Sequence, residues 1–198
     1  MITDRGDDMK KLLLAFALLA MAPLPVLAGE IADHATAAEK AAAVGDGPGA
    51  VKEFDAAQDA LWTAIPLTIR TVEQVSAASG VGVYTVRADH RYKPDEKLHL
   101  YIEPVGYAYG DDGLGNKVIN LAVDLTLKSE NGEELGTIPE LTSIKLSSRV
   151  KNRELFFNLT LSLDPSSTPP GKYLADFTVR DQNSDKTAKF TIDFEITR

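Results

Sequence analysis

The chain has 198 residues, a formal net charge of −8 and no cysteine. The acidic balance argues against a nucleic-acid partner, because phosphate binding needs a basic face. The missing thiols exclude disulfide staples, thiolate metal sites and cysteine nucleophiles, so the fold must stand on its own core.

Residues 1–8 are polar and acidic, whereas Met9, Lys10 and Lys11 form a short basic region. An apolar run over residues 12–20 continues past Pro23 and Pro25 to Val26, Leu27 and Ala28, the small-x-small pattern of a signal-peptidase site. This predicts initiation at Met9 and cleavage after Ala28, so that residues 1–28 comprise upstream residues and a cleaved signal peptide and Gly29 is the first mature residue. The apolar run falls short of the ~20 residues of a spanning helix, so the mature chain is expected in the periplasm or secreted, and not across a membrane. No cysteine stands at the cleavage point to carry a lipid anchor.

Residues 29–66 read as a helical hairpin. Twelve of the 34 residues from 31 to 64 are alanine, the strongest helix former. Gly45, Asp46, Gly47 and Pro48 divide the stretch, and Pro48 suits a first helical turn. Val51, Phe54, Leu61, Trp62 and Ile65 then recur at helical spacing. The spacing of Ala43, Gly45, Ala50, Phe54 and Ala57 resembles half of a tetratricopeptide-type pair, but such repeats need about three copies and no second copy follows.

From residue 67 the apolar period falls to two. Leu98, Leu100 and Ile102 alternate with His99, Tyr101 and Glu103; Ile119, Leu121, Val123, Leu125 and Leu127 alternate with polar neighbours. The same holds for Leu155 through Leu163, for Tyr173, Ala175, Phe177 and Val179, and for Ala188 through Ile196. Each run implies one buried and one wet face. With shorter runs at 68–75, 81–88 and 143–148, residues 67–198 read as a mainly β domain, an antiparallel sandwich of about eight strands. Asn131-Gly132 is the sharpest hairpin signal.

Pro170, Gly171, Lys172 and Tyr173, then Phe177, Val179 and Asp181, then a polar hairpin into a terminal strand, resemble the F–G end of an immunoglobulin-like or fibronectin-III-like domain. The resemblance implies that the Tyr173 hydroxyl bonds back to the turn before it. The stretch from Tyr84 to Tyr109 is similar to uncharacterised exported bacterial proteins with this helical-plus-sandwich layout, which implies a bacterial source.

Chemistry-bearing patterns are few. His34, His90 and His99 lack metal-ligand spacing, and no nucleophile elbow or phosphate loop occurs, so no cofactor is expected. Asp111, Asp112, Gly113, Leu114, Gly115 and Asn116 invite a calcium reading, but glycines hold the positions where oxygens are needed. Glu103 and Asp124 could share acid and base roles. Tyr101, Glu103, Tyr107 and Tyr109 share parity along one segment and form the candidate partner-binding surface, an exposed tyrosine row able to meet a protein or glycan. Arg149, Lys151 and Arg153 make a basic turn. The expectation is an exported, non-catalytic binding or assembly protein of the cell envelope. The alternatives are a glycan- or peptide-acting hydrolase and a chaperone-like module that lends a strand edge.

Overall fold

The computed structural model describes residues 27–164, 166 and 168–198. The predicted signal peptide lies outside these residues except for its last two. Helix α1 (Leu27–Ala43) and helix α2 (Gly47–Ala64) form the expected hairpin. Gly45 makes the turn at φ +78°. The Asp46 carboxylate then accepts from the Gly49 amide and caps α2, with Pro48 in its first turn. Their interface is made of small residues, with Ala38 and Ala57 buried between the helices.

Ten strands follow. They are β1 (Thr68–Gly80), β2 (Val83–Val86), β3 (Arg91–Tyr92), β4 (Lys97–Val105), β5 (Gly110–Asp111), β6 (Lys117–Ser129), β7 (Glu134–Ser148), β8 (Phe157–Ser162), β9 (Gly171–Asp181) and β10 (Thr187–Ile196). The eight longer ones answer to the eight expected, while β3 and β5 are too short to carry a period. The first sheet runs β2-β1-β4-β8 and the second β3-β10-β9-β6-β5, with β7 also paired to β6. All pairs are antiparallel except β3 with β10. Asn131-Gly132 turns β6 into β7, with Gly132 at φ +84° and its amide on the Ser129 carbonyl.

The alternating residues meet between the sheets. Leu98, Leu100 and Ile102 of β4 face Leu121, Val123, Phe177 and Val179 of β6 and β9 in one buried cluster. The Tyr173 hydroxyl donates to the Pro169 carbonyl at 2.5 Å, which pins the corner entering β9 as the resemblance implied.

The two long sides of this sandwich differ. On the β1/β10 side, Gln74 stitches the sheets together: its amide donates to the Asp193 carbonyl at 2.7 Å, and its carbonyl accepts from the Tyr92 hydroxyl at 2.8 Å. Arg87 lies 4.1 Å over the Tyr92 ring. Burial pushes the Tyr92 phenol up to about 12, against the pull of Arg87. On the β7/β8 side, no hydrogen bond joins the two edge strands among the described residues.

Candidate functional site

The predicted tyrosine row is not a surface. Tyr101 and Tyr107 are both 0% exposed and Glu103 is 5% exposed, while Tyr109 packs partly buried against the core. Two separate causes bury them.

Tyr101 and Glu103 do stand on the outer face of β4, as their parity requires, but that face is covered. β1 pairs with β4 up to Gln74, then shifts register after Val75 and curls away with β2. The hairpin folds back so that Tyr84 stacks on Tyr101 at 4.2 Å, and Phe156 stacks on it at 5.4 Å. The Tyr101 hydroxyl accepts from the Gly82 amide and donates to Glu103. Arg70 grips the Glu103 carboxylate through two nitrogens, at 2.9 and 2.7 Å. Burial pushes the Glu103 carboxyl up, but the Tyr101 and Arg70 bonds and the Arg70 charge outweigh it and hold it below the usual range. This is a structural clasp on the hairpin.

Tyr107 and Tyr109 leave the strand line at Gly106, whose φ is +78°. Both hydroxyls donate to the Asn152 carbonyl, at 2.7 and 2.6 Å. Tyr107 meets Trp62 of α2 edge to face at 5.2 Å, and its carbonyl accepts from the Trp62 indole at 2.8 Å. Burial pushes the Tyr109 phenol up to about 12 and the Tyr107 phenol higher still. The Lys186 ammonium donates to the carbonyls of Ile65 and Gly106 at 2.8 and 2.9 Å and reaches those of Trp62 and Thr63, closing the C-terminal end of α2. The basic turn is spent here as well: Lys151 and Arg153 donate to Asp59 at 2.8 and 2.6 Å. A cavity of about 360 Å³ beside Trp62, Tyr109 and Lys151 belongs to this seam. These residues dock the helical hairpin. The sequence signal for it was Asp55 and Asp59, one helical turn apart, matching the charges of residues 151 and 153.

The seam has a pH signature. Burial raises the Asp59 carboxyl, but its bonds to Lys151 and Arg153 lower it further, leaving it below its usual value. A lowered carboxylate stabilises the folded state above the unfolded value near pH ~4, and that contribution is lost as pH falls through the folded value. Trp62 is the only tryptophan, so its emission reports docking directly. Acid titration is expected to red-shift that emission below about pH 4, and Asp59→Asn to give the acid-state spectrum at pH 7. An emission maximum unmoved by both changes would count against the ion pairs as a latch.

The remaining candidates fall apart geometrically. Glu103 lies on the outer face of the first sheet. Asp124 lies on the outer face of the second, held by Arg180 at 2.8 and 3.0 Å. The two cannot work on one bond. In the 111–116 loop the carboxylates turn inward: Asp111 accepts from the Gly113 amide, and Asp112 from Leu114, Asn116 and Ser147. Those bonds, the Asn116 side chain first, hold Asp112 down at about 2. The loop's own donors occupy the oxygens a calcium ion would need. His34, His90 and His99 pair separately with Glu53, Asp193 and Thr160.

What sequence reasoning missed is the open side. β7 forms the edge of the second sheet and β8 the edge of the first. Leu125 pairs with Ile138, Leu121 with Ile144 and Ile119 with Leu146, so those β7 side chains point inward, toward the first sheet. Among the described residues the first sheet ends at β8, and no strand covers them. Ile138 is therefore 50% exposed, and Leu135 beside it 52% exposed. A bulge at Pro139 and Glu140, where Glu140 takes φ +49° and its amide bonds Asp124, turns Leu141 inward too. Between the two edges lies a groove of about 530 Å³, walled by Leu125, Leu135, Ile138, Leu141, Leu161 and Leu163. Its lining also includes Thr137, Thr160, Ser162 and Thr168, and no ionisable side chain among the described residues. Such a cleft can take an uncharged, apolar group of ligand size.

No protein-family profile and no curated protein matches the chain. Solved structures with a similar arrangement include a Niemann-Pick type C2 protein from Japanese carpenter ant, at 7% identity and a TM-score of 0.38 over 67% of this chain and 94% of that one. The sporulation control protein Spo0M from Bacillus subtilis aligns at 12% identity and a TM-score of 0.34 over 68% of this chain, which spans only 50% of Spo0M. A PKD domain of an M14-like peptidase from a Thermoplasmatales archaeon aligns at 10% identity and a TM-score of 0.33, over 68% of this chain and 98% of that domain. Likenesses this distant fit a β-sandwich and carry nothing further. The assignment of this chain as a β-sandwich with an N-terminal helical hairpin rests on its own two sheets and their shared core.

Proposed function

We propose that this chain is an exported, non-catalytic binding or assembly protein of the bacterial cell envelope, and that it meets its partner at the groove between β7 and β8. The observation that carries this is the uncovered inner face of β7. Leu135 and Ile138 are apolar, line the groove and are exposed, and exposed apolar clusters of this kind mark interaction sites. The export reading rests on the sequence of residues 9–28. The immunoglobulin-like reading of the sandwich draws support from the Tyr173 corner. A hydrolase using Glu103 and Asp124 has no support in their placement on opposite outer faces.

The test is a photo-crosslinking amino acid at position 138 in intact cells, with position 83 on the stitched side as control. Val83 is similarly exposed, at 57%. A discrete adduct from position 138 only, recovered with the envelope, is expected. Identical adduct patterns from both positions, or none from 138, would refute the groove as the contact.

A further inference from the structure

Resting on that reading of the groove, we infer that its occupant is an extended peptide, which adds to the free edge of β8 as a fifth strand of the first sheet. β8 pairs with β4 alone among the described strands, so every second backbone N–H and C=O along residues 157–162 points away from the sheet. Such an edge is completed only by a partner carrying donors and acceptors at the same repeat, which is another backbone. A strand laid there lies over β7. Its inward side chains, one in two, then meet Leu135, Ile138 and Leu141 on one wall and Leu161 and Leu163 on the other. The added strand supplies the layer that β7 lacks.

The chemistry of the peptide follows from the walls. The lining carries no charge, so the inserted residues must be apolar, since an unpaired charge there would lose its water without compensation. β-Branched residues suit both the pleat and the space. The alternate residues face solvent and are free to be polar. The whole chain carries a net charge of −8, so basic flanks on the peptide speed encounter and acidic ones oppose it. The inferred ligand class is therefore a short extended segment with alternating apolar residues and basic ends. An acyl chain would fill the groove but leave the β8 edge unpaired.

The probe is a synthetic peptide, Lys-Val-Thr-Val-Thr-Val-Lys, whose valines share one face and whose lysines and threonines share the other, bound to the full chain and followed by calorimetry. Two further versions carry N-methyl groups on alternate residues, one set per backbone edge. The parent is expected to bind. One methylated version is expected to lose about tenfold or more, because its donors are those that face β8, while the other stays within about threefold. Ile138→Asp, at a half-exposed site, is expected to weaken the parent about tenfold without lowering the melting temperature. If both methylated peptides bind like the parent, strand pairing is wrong. If dodecyl maltoside below its micelle concentration binds and the peptide does not, the groove reading stands and the peptide inference falls. If neither binds, both fall.

Discussion

Tyr107→Ala is expected to destabilise the fold by about 3–5 kcal/mol, the range for removing a large aromatic from a packed core. Tyr107 is wholly buried, its ring stands against Trp62, and its hydroxyl holds the Asn152 carbonyl. The substitution opens a cavity under α2 and removes one of the two hydroxyls that hold the Asn152 carbonyl. Loss should appear in two readouts: a lower denaturant midpoint, and Trp62 emission shifted toward that of an exposed indole before global unfolding. Tyr109→Ala should cost less, because Tyr109 is only partly buried and shares the Asn152 acceptor with Tyr107. Equal midpoints for Tyr107→Ala and the parent chain would contradict this packing.

Gly106→Ala should be nearly as severe, at about 3 kcal/mol. Two costs add. A left-handed residue with a side chain costs about 1–2 kcal/mol, and Gly106 sits at φ +78°. A Cβ there would also lie 2.4 Å from the Pro66 carbonyl oxygen and 2.9 Å from the Ile65 side chain, forcing the α2–β1 link to move. That link holds one of the carbonyls capped by Lys186, as does Gly106 itself. The variant should therefore lose docking along with stability, visible as faster proteolysis near residues 64–67. A Gly106→Ala chain as protease-resistant as the parent would show that this turn tolerates a side chain.

These positions also mark where sequence periodicity stops informing. The long alternations in β4, β6, β9 and β10 and the alanine-rich hairpin are written in local pattern, and the structure follows them. The turn at Asn131-Gly132 and the Tyr173 corner were equally legible, because each depends on residues a few positions apart. Parity placed Tyr101 and Glu103 on the outer face of β4 correctly. What covers that face is the curl of the β1–β2 hairpin, set by register shifts after Val75 that no period reveals. For Tyr107 and Tyr109 the alternation ends at Gly106, so the shared parity no longer means a shared face. The first half of β7 was illegible for a similar reason: the bulge at Pro139 and Glu140 breaks its alternation. The open groove arises from a mismatch between sheets, a property of two layers together and of no single strand. Lys186 stands in a hairpin turn and gave no sign of capping a helix more than a hundred residues earlier.

On the proposal made here, the side of the sandwich between β7 and β8 is an unfinished layer that an added strand completes. The decisive measurement is residue-resolved amide exchange with and without the saturating valine–threonine peptide. Slowed exchange is predicted within residues 157–162, at alternate amides, with the amides of β2 on the opposite side unchanged. Exchange in 157–162 unaltered by bound peptide, or slowed only on the stitched side, would mean that β8 takes no added strand.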